Sequence, residues 1–290
     1  MKKNGINRLT LADRLRTYRA NPFSLVMLLL VWGAALLTVA VLLFLVGHIL
    51  VKGLPYLTPS MFALHYSSEN LSAFPAIITT VYTVVLALLL AGPLGIFCAV
   101  YLVEYAKRGN RLVKYIRLTA ETLSGIPSIV YGLFGFMFFV TYLRWGFSLL
   151  AGSFTLAIMI LPLMIRSTEE ALKAVPDNLR EGSFGLGAGR LRTVFRIVLP
   201  VAMPGILAGV ILAIGRVVGE TAALIYTAGT VAKIPENLMA SGRTLAIHMY
   251  ALSSEGLSIN EAYATAVILL VTVLLINLCA SLLAKKITNK

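Results

Sequence analysis

Charged residues are scarce in this sequence. They make up 13% of its 290 residues, whereas a soluble globular domain contains about 25%. Hydrophobic residues account for 59% of the chain, and the mean hydropathy is +0.88. This composition excludes a soluble domain and indicates an integral membrane protein.

Cysteine and histidine are also rare, at two and three residues. Cys98 and Cys279 each lie inside an apolar run and are far apart in sequence, so neither a disulfide framework nor a thiolate metal site is indicated. The histidines have no spacing typical of metal ligands, and they are His48, His65 and His248. We therefore expect no metal and no cofactor.

A nucleotide-binding motif is missing from the sequence as well. There is no G-x-x-x-x-G-K-[ST], and GLGAGR at 185–190 lacks both the lysine and a preceding strand. If ATP drives this protein, another chain must bind it. The sequence also has no paired carboxylates or His-Asp pairs at a membrane face, which argues against a rival hypothesis, a membrane-embedded enzyme that acts on lipid phosphates.

The net charge of +13 does not indicate nucleic-acid binding, because the basic residues occur in short blocks between apolar runs. Six apolar segments are expected to cross the membrane as helices, and an even number places both termini on one side. Most lysines and arginines fall on that side, which the positive-inside rule identifies as cytoplasmic. The segments are 23–51, 72–103, 118–143, 149–167, 200–226 and 262–284.

These segments predict three parts of the chain. Residues 1–22 form a basic cytoplasmic segment, expected to be weakly amphipathic and helical. Segment 23–51 is a retained transmembrane helix, because it is far longer than the apolar part of a signal peptide, which has about 7–15 residues. Residues 72–284 form the main membrane domain.

Two connections on the outer side are long enough to fold, although they could also be plain connectors. They are 52–71 and 227–261, and the second is longer than a connector needs to be. It contains an apolar segment around Leu238 to Leu252, which predicts a short interfacial or re-entrant helix. Either connection would be available to a partner that delivers substrate.

The third apolar segment is interrupted at SGIPS, residues 124–128. Pro127 removes a helix hydrogen bond and kinks the chain, whereas the glycines allow close helix contact. Such a break is tolerated where the backbone lines a cavity or is buried by protein. Ordinary helix packing remains the alternative.

A polar, basic stretch at 181–200 separates two long apolar segments. Its pattern is E-small-small-x3-G-x9-I-x-L-P. We expect a short helix before it with Asp177 as N-cap, and we expect Pro200 to open the next helix, where its missing N–H costs nothing. Small side chains here would let another protein's backbone come close. The residues that carry the pattern are Glu181, Gly182, Ser183, Gly187, Ile197 and Pro200.

Two charges fall inside the fifth segment. Arg216 and Glu220 are four residues apart and are expected on one helical face. Each costs about 2.5–3.5 kcal/mol at the bilayer centre on insertion scales, so a structural ion pair and a polar lining for an anion remain alternatives. Arg166, near the inner end of the fourth segment, is either a second pathway charge or a side chain that extends to the cytoplasm.

Four motifs together resemble the permease subunits of the phosphate-specific ABC importer, and the PstA type more than its partner. They are SGIPSIVYGLFG at 124–135, RSTEEALKAVP at 166–176, the stretch at 181–200, and GRVVGETAALIYTAG at 215–229. The general pattern has Ala-Ala where this sequence has Gly182-Ser183, and both pairs are small.

The resemblance implies a type I ABC importer permease core (MetI-like) over 72–284 with one extra N-terminal helix, in a bacterial cell (inner) membrane. The docking loop, 176–200, would contact the ATPase, and Arg216 and Glu220 would match charged residues of the phosphate pathway. We also expect Thr221 and Arg166 to line that pathway. The implied partners, besides membrane lipid, are a second permease of PstC type, an ATPase dimer of PstB type and a phosphate-binding protein of PstS type. The chain itself would be no enzyme, and a permease for another oxyanion or a phosphonate is the nearest alternative.

Overall fold

A computed structural model describes residues 22–107, 109–254, 256 and 258–288, and every regular element in these ranges is helical. The chain divides into two compact units, 1–52 and 53–290. Helix α1, Pro22–Gly53, belongs to the first unit except for its last residue, and its uninterrupted apolar sequence is long enough to cross a membrane. The helix expected in residues 1–22 lies outside the described residues, except for Pro22, where α1 begins.

Six longer helices and four short ones form the second unit. In chain order they are α2 (Phe74–Val100), α3 (Arg111–Ser124), α4 (Ser128–Gly135), α5 (Leu149–Lys173), α6 (Asp177–Gly185), α7 (Arg190–Thr193), α8 (Leu199–Val218), α9 (Ala222–Ile225), α10 (Leu245–Ser254) and α11 (Ile259–Thr288). The expected all-α membrane architecture is confirmed. Five helices are long and apolar enough to span a membrane, and α3 with α4 form a bent pair that makes a sixth span if counted as one.

Helix α5 lies at the centre of the unit and packs mainly against α2 and α8. Its buried face includes Leu156, Ile160 and Met164. The helices come close where one of them carries a glycine: a Cβ on Gly95 of α2 would stand 2.6 Å from the Cβ of Met164. Small residues at such positions permit close helix packing in a membrane.

The predicted interruption of the third segment is confirmed, and it is sharper than a kink. Helices α3 and α4 meet at 102°. Gly125 caps the end of α3, and Pro127 precedes the first residue of α4. The hydroxyl of Tyr131 donates to the carbonyl of Leu123 across the bend, at 2.7 Å. The segment expected over 118–143 thus consists of two arms, Arg111–Ser124 and Ser128–Tyr142, and its charged residues lie on the first.

Helix α8 does not begin at Pro200. Helical backbone runs continuously from Arg190 to Val218, and a π-helical turn at Val194–Val198 connects α7 to α8. Proline cannot donate the hydrogen bond that a continuous α-helix requires, and a wider turn just before it accommodates that loss. The prediction that Pro200 opens the helix is wrong for this reason.

The expected short helix in the second connection exists but starts later. It is α10, from Leu245. The residues before it are extended, because the N–H groups of Gly242 and Arg243 donate to the carbonyls of Ala228 and Val231, at 3.2 and 3.0 Å. In the first connection, 3-10 helices occupy Leu54–Tyr56 and Pro59–Phe62.

Candidate functional site

A cavity of about 640 Å³ opens between α3, α5 and α8. Its lining is unusually charged for a surface between membrane helices, with four cations and three carboxylates. The cavity therefore carries one more positive than negative side chain. The charged lining residues are Arg117, Glu121, Arg166, Glu169, Glu170, Lys173 and Arg216.

Glu169 holds one side of this cavity together. Its side chain is 9% exposed, and Oε1 lies 2.7 Å from Nη2 of Arg117 and 2.6 Å from Nζ of Lys173. The first pair joins α3 to α5, and the second lies along α5 with i,i+4 spacing. A carboxylate buried to this extent requires such partners, because an unpaired buried charge is costly.

Arg166 pairs with Glu170 at 3.2 Å, again with i,i+4 spacing, and both side chains are about two-thirds exposed, at 67% and 68%. This pair contributes little to stability because solvent screens it. Arg166 nevertheless lines the same cavity as Arg216. The structure thus brings together two of the four expected pathway residues.

Arg216 lies in the last turn of α8 and is half-buried. Among the described residues it has no hydrogen-bond or ion-pair partner within bonding distance. All the other cations in the lining are paired with Glu169 or Glu170. The guanidinium of Arg216 is therefore the cavity's available donor for an anion.

Glu220 does not share a helical face with Arg216, and that prediction is wrong. Helix α8 ends at Val218, and Gly219 is its C-cap. The Glu220 carboxylate turns forward instead and accepts the N–H of Ala223 at 3.0 Å, which satisfies a free donor at the start of α9. Thr221 is the N-cap residue of α9, though its side chain makes no capping bond. Neither residue lines the charged cavity.

The docking loop contains the expected short helix, with a different start. Pro176 is the N-cap of α6, and Asp177 is its first helical residue, so the predicted N-cap role of Asp177 is wrong. Proline fits this boundary because it imposes an extended conformation on its neighbour and has no N–H to satisfy. The Asp177 carboxylate accepts from Nη1 of Arg180 at 3.0 Å.

Gly187 ends α6 as the pattern predicts for a glycine. Its φ is +81°, and its N–H donates to the carbonyl of Phe184 at 2.9 Å. The N–H of Ala188 donates back to the carbonyl of Ser183 at 3.1 Å, which completes a Schellman-type C-cap. A residue with a Cβ would be strained at this φ.

The expected docking residues differ in exposure. Glu181, Gly182 and Pro200 are exposed, whereas Ile197 is half-buried. Ser183 is only 5% exposed, and its hydroxyl lies 2.8 Å from that of Thr193. Its small size thus serves packing between α6 and α7. The docking loop also carries exposed apolar side chains, which are Leu179, Phe184, Leu186, Leu191 and Phe195.

Arg180 connects α6, the docking helix, to the ends of α2 and α5. The sequence alone did not predict this contact. Its Nη2 lies 2.8 Å from Oε1 of Glu104, in a π-helical turn, Tyr101–Tyr105, that ends α2. It also donates to the carbonyls of Leu172 and Val175 at the end of α5, at 2.8 and 2.7 Å. The Arg180 and Glu104 side chains are 14% and 8% exposed, so this is a buried ion pair.

Sequence reasoning also missed Glu169 as a site residue. A signal was present, because Glu169 stands four residues before Lys173 on a helix. The contact with Arg117 is not visible in the sequence, since those residues are 52 positions apart.

The family model for "Binding-protein-dependent transport system inner membrane component" matches residues 91–290. The chain is 34% identical over 280 residues to the probable ABC transporter permease protein YqgI of Bacillus subtilis (strain 168), which covers 88% of this chain and 93% of that protein. It is also 38% identical over 200 residues to the phosphate transport system permease protein PstA 1 of Mycobacterium tuberculosis (strain CDC 1551 / Oshkosh). That alignment covers 68% of this chain and 65% of the relative.

A solved structure of a bacterial ABC transporter involved in the import of the acidic polysaccharide alginate has the same fold. Its TM-score is 0.66 at 18% identity, and the match covers 89% of this chain and 96% of that chain. A second alginate ABC transporter structure, in complex with an alginate-bound periplasmic protein, matches with a TM-score of 0.65 at 17% identity, over 94% of this chain and 98% of that chain. The helical architecture, the match to the family model and the curated relatives agree, and the chain belongs to the family of binding-protein-dependent transport system inner membrane components.

Proposed function

We propose that this chain is a PstA-type permease subunit of an ATP-driven importer of inorganic phosphate. The observation that carries the proposal is Arg216, an unpaired guanidinium in a charged cavity between membrane helices. An arginine presents a planar fork of donors that fits the oxygens of phosphate. The names of several relatives, which are phosphate transport system permease proteins, support the choice of substrate.

The charges that line the cavity favour the passage of an anion over its tight binding. Conduction requires a site that attracts the anion but releases it again. Glu169 neutralises much of the charge of Arg117 and Lys173, and Glu170 pairs with Arg166. Among the described cations that line the cavity, Arg216 alone has no ion-pair partner, so the cavity attracts an anion without holding it tightly. Glu220 and Thr221 would act beyond this cavity, at the break that follows α8.

The chain would work with three kinds of partner, and in this proposal it forms half of the translocation pathway. A second permease of PstC type would form the other half, a PstB-type ATPase dimer would bind ATP, and a PstS-type protein would deliver phosphate. The ATPase would contact the exposed docking surface of α6, with Glu181, Gly182 and Gly187 at its edge. In this arrangement residues 72–284 form the permease domain, and both termini and the docking loop face the cytoplasm of a bacterial cell.

Coupling would follow from the way in which α6 is held. Closure of the ATPase dimer would move the docking helix, and the buried Arg180–Glu104 pair would transmit that movement to α2 and to the end of α5. Helices α2 and α5 pack against each other at the centre of the unit 53–290.

Uptake of labelled phosphate into vesicles that contain the complete importer tests the proposal. We expect uptake that requires ATP, the binding protein and this chain, with a clear preference for phosphate over sulfate. Equal uptake of sulfate and phosphate would instead support the alternative, a permease of the same build for another oxyanion. Uptake without any ATPase subunit would contradict the coupling mechanism.

A further inference from the structure

A second arginine, Arg243, is buried in the unit 53–290. It lies at the end opposite to the docking helix, α6. Arg243 precedes α10, and the N–H of Leu245 donates to Oγ1 of Thr80 near the start of α2, at 2.9 Å. Glu104, at the other end of α2, contacts the docking helix. The 24 residues of helix between Thr80 and Glu104 correspond to about 36 Å. With the docking helix in the cytoplasm, Arg243 lies towards the outer surface.

The Arg243 side chain has few protein partners for its charge. The residue is 8% exposed, and its guanidinium lies over the ring of Tyr66, with Cζ 4.4 Å from the ring centroid. Nε and Nη2 are buried, and no described residue accepts a hydrogen bond from them. The buried hydroxyl of the adjacent Thr244 has no partner among the described residues either.

The neighbouring groups do not neutralise this charge. No described carboxylate lies within ion-pair distance of Arg243. His248 packs edge-on against Tyr66, with ring centroids 5.9 Å apart. Burial and the Arg243 charge together lower the pKa of His248 to about 3, and the backbone at Leu71 acts in the opposite direction. His248 is therefore neutral, and the group carries a single positive charge.

A buried guanidinium with free N–H groups is costly unless an acceptor pairs with it. Guanidinium groups only donate, and their fork matches two oxygens of a carboxylate or phosphate. An oxyanion is therefore the ligand chemistry that fits Arg243. Phosphate in transit and a carboxylate from a partner subunit share this chemistry.

Arg243 is joined through the backbone to the segment that follows Arg216. Its N–H donates to the carbonyl of Val231, and the N–H of Gly242 donates to the carbonyl of Ala228. The chain from the break after α8 through α9 to Val231 thus runs from the charged cavity to Arg243. This connection favours phosphate over a partner's carboxylate as the anion.

We propose that Arg243 and Thr244 form an outer oxyanion-binding site, which takes phosphate before it reaches Arg216. This inference rests on the proposed function. Two successive sites, each with one unpaired guanidinium, would let the anion enter and leave without a deep energy minimum between them.

The test uses the complete importer reconstituted in vesicles with its binding protein. Arg243→Gln removes the charge, and Lys233→Gln is the matched control, because Lys233 is an exposed cation in the same outer connection. We expect phosphate uptake to fall by about tenfold or more in Arg243→Gln, since the lost bonds are charge-assisted. The control should match the wild type. Subunit assembly and stimulation of ATP hydrolysis by the loaded binding protein should be unchanged in both variants.

Several outcomes would overturn the proposal. Uptake in Arg243→Gln equal to that of the control would show that no anion depends on Arg243. If Arg243→Gln lost subunit assembly, or lost the stimulation of ATP hydrolysis by the binding protein, Arg243 would instead pair with a carboxylate of a partner subunit. If Arg243→Gln is not recovered in the membrane, Arg243→Lys decides, because it keeps the charge and loses the fork; full uptake in that variant contradicts the proposal.

Failure of the proposed function has a different signature. A wild-type complex that imports sulfate as well as phosphate would contradict the phosphate assignment. An Arg243→Gln defect measured with that same anion would still support an oxyanion site at Arg243.

Discussion

Arg216 gives the most direct test of the pathway at the scale of single residues. We expect Arg216→Gln to lower phosphate uptake by about tenfold or more, because glutamine cannot supply charge-assisted bonds to an oxyanion. Uptake into vesicles that hold the full complex measures the effect. Co-purification of the permease subunits should remain normal.

Lys233→Gln is a suitable comparison for Arg216→Gln, because Lys233 is an exposed cation outside both the charged cavity and the docking loop. If Arg216→Gln abolished assembly of the permease pair, its role would be that of a structural ion pair between subunits.

Glu169 is expected to matter for stability as well as for transport. Glu169→Gln would leave Arg117 and Lys173 without their shared carboxylate. We expect a loss of about 1–3 kcal/mol, below the value for a fully buried pair because both cations are about half exposed. Thermal unfolding of the purified complex measures this loss.

Glu170→Gln is the control for Glu169→Gln, because its pair with Arg166 is exposed. It should change the free energy of unfolding by about 0–1 kcal/mol. Equal destabilisation by the two substitutions would show that burial of Glu169 has no energetic importance.

The sequence predicted some residues of the site and not others for a physical reason. Arg216 was visible because a charge inside an apolar run is costly and therefore conspicuous. Glu104 and Arg117 are distant in sequence from the residues they contact, so only the packing of α2, α3 and α5 reveals them. Glu220 was placed wrongly because a four-residue spacing implies a shared face only while the helix continues.

At the scale of elements, the docking helix and its attachment produce separate predictions. Glu181→Lys reverses an exposed charge of α6. We expect less ATPase subunit to co-purify with the permease and uptake to fall in proportion, since like charges at an interface repel. The permease should still be inserted in the membrane. Unchanged recovery of the ATPase would contradict the assignment of α6 as the docking helix.

The Arg180–Glu104 pair should affect coupling more than docking. We expect Arg180→Gln to keep the ATPase bound while the number of ATP molecules hydrolysed per phosphate imported rises severalfold. The reason is that α6 loses its buried bond to α2 and its bonds to the end of α5. Parallel assays of ATP hydrolysis and uptake in the same vesicles give this ratio.

Glu104→Gln should raise the same ratio, and the double variant should be no worse than either single one, because the two side chains act as one unit. Lys233→Gln serves again as the exposed control. Additive effects of Arg180→Gln and Glu104→Gln would contradict a shared role.

Helix positions were predictable from apolar runs, whereas helix ends were not. Length and hydropathy located α1, α2, α5, α8 and α11. Three ends depended on local hydrogen bonding that composition does not encode. The 102° bend separates α3 from α4, a π-helical turn carries the helix through to Pro200, and backbone pairing with Val231 delays the start of α10.

At the scale of the whole molecule, two arginines of the unit 53–290 are withdrawn from solvent without an ion-pair partner among the described residues, and they lie at different depths. Arg216 lines the charged cavity from the last turn of α8, and Arg243 lies near the end of the unit opposite to the docking helix. All the carboxylates that line the cavity belong to α3 and α5. The carboxylates of α3 and α5 thus neutralise cations in the cavity. The guanidinium groups of α8 and of the segment after it remain able to donate hydrogen bonds to an anion.

The π-helical turn at Val194–Val198 has one further consequence, because it lies between α7 and α8 in one continuous helix. It accommodates an additional residue while the hydrogen bonding on either side stays regular. Loss or gain of one amino acid there would convert the turn to or from ordinary α-helix and would not rotate α8. Among related sequences, single-residue length differences should therefore collect at this turn and be avoided along α5.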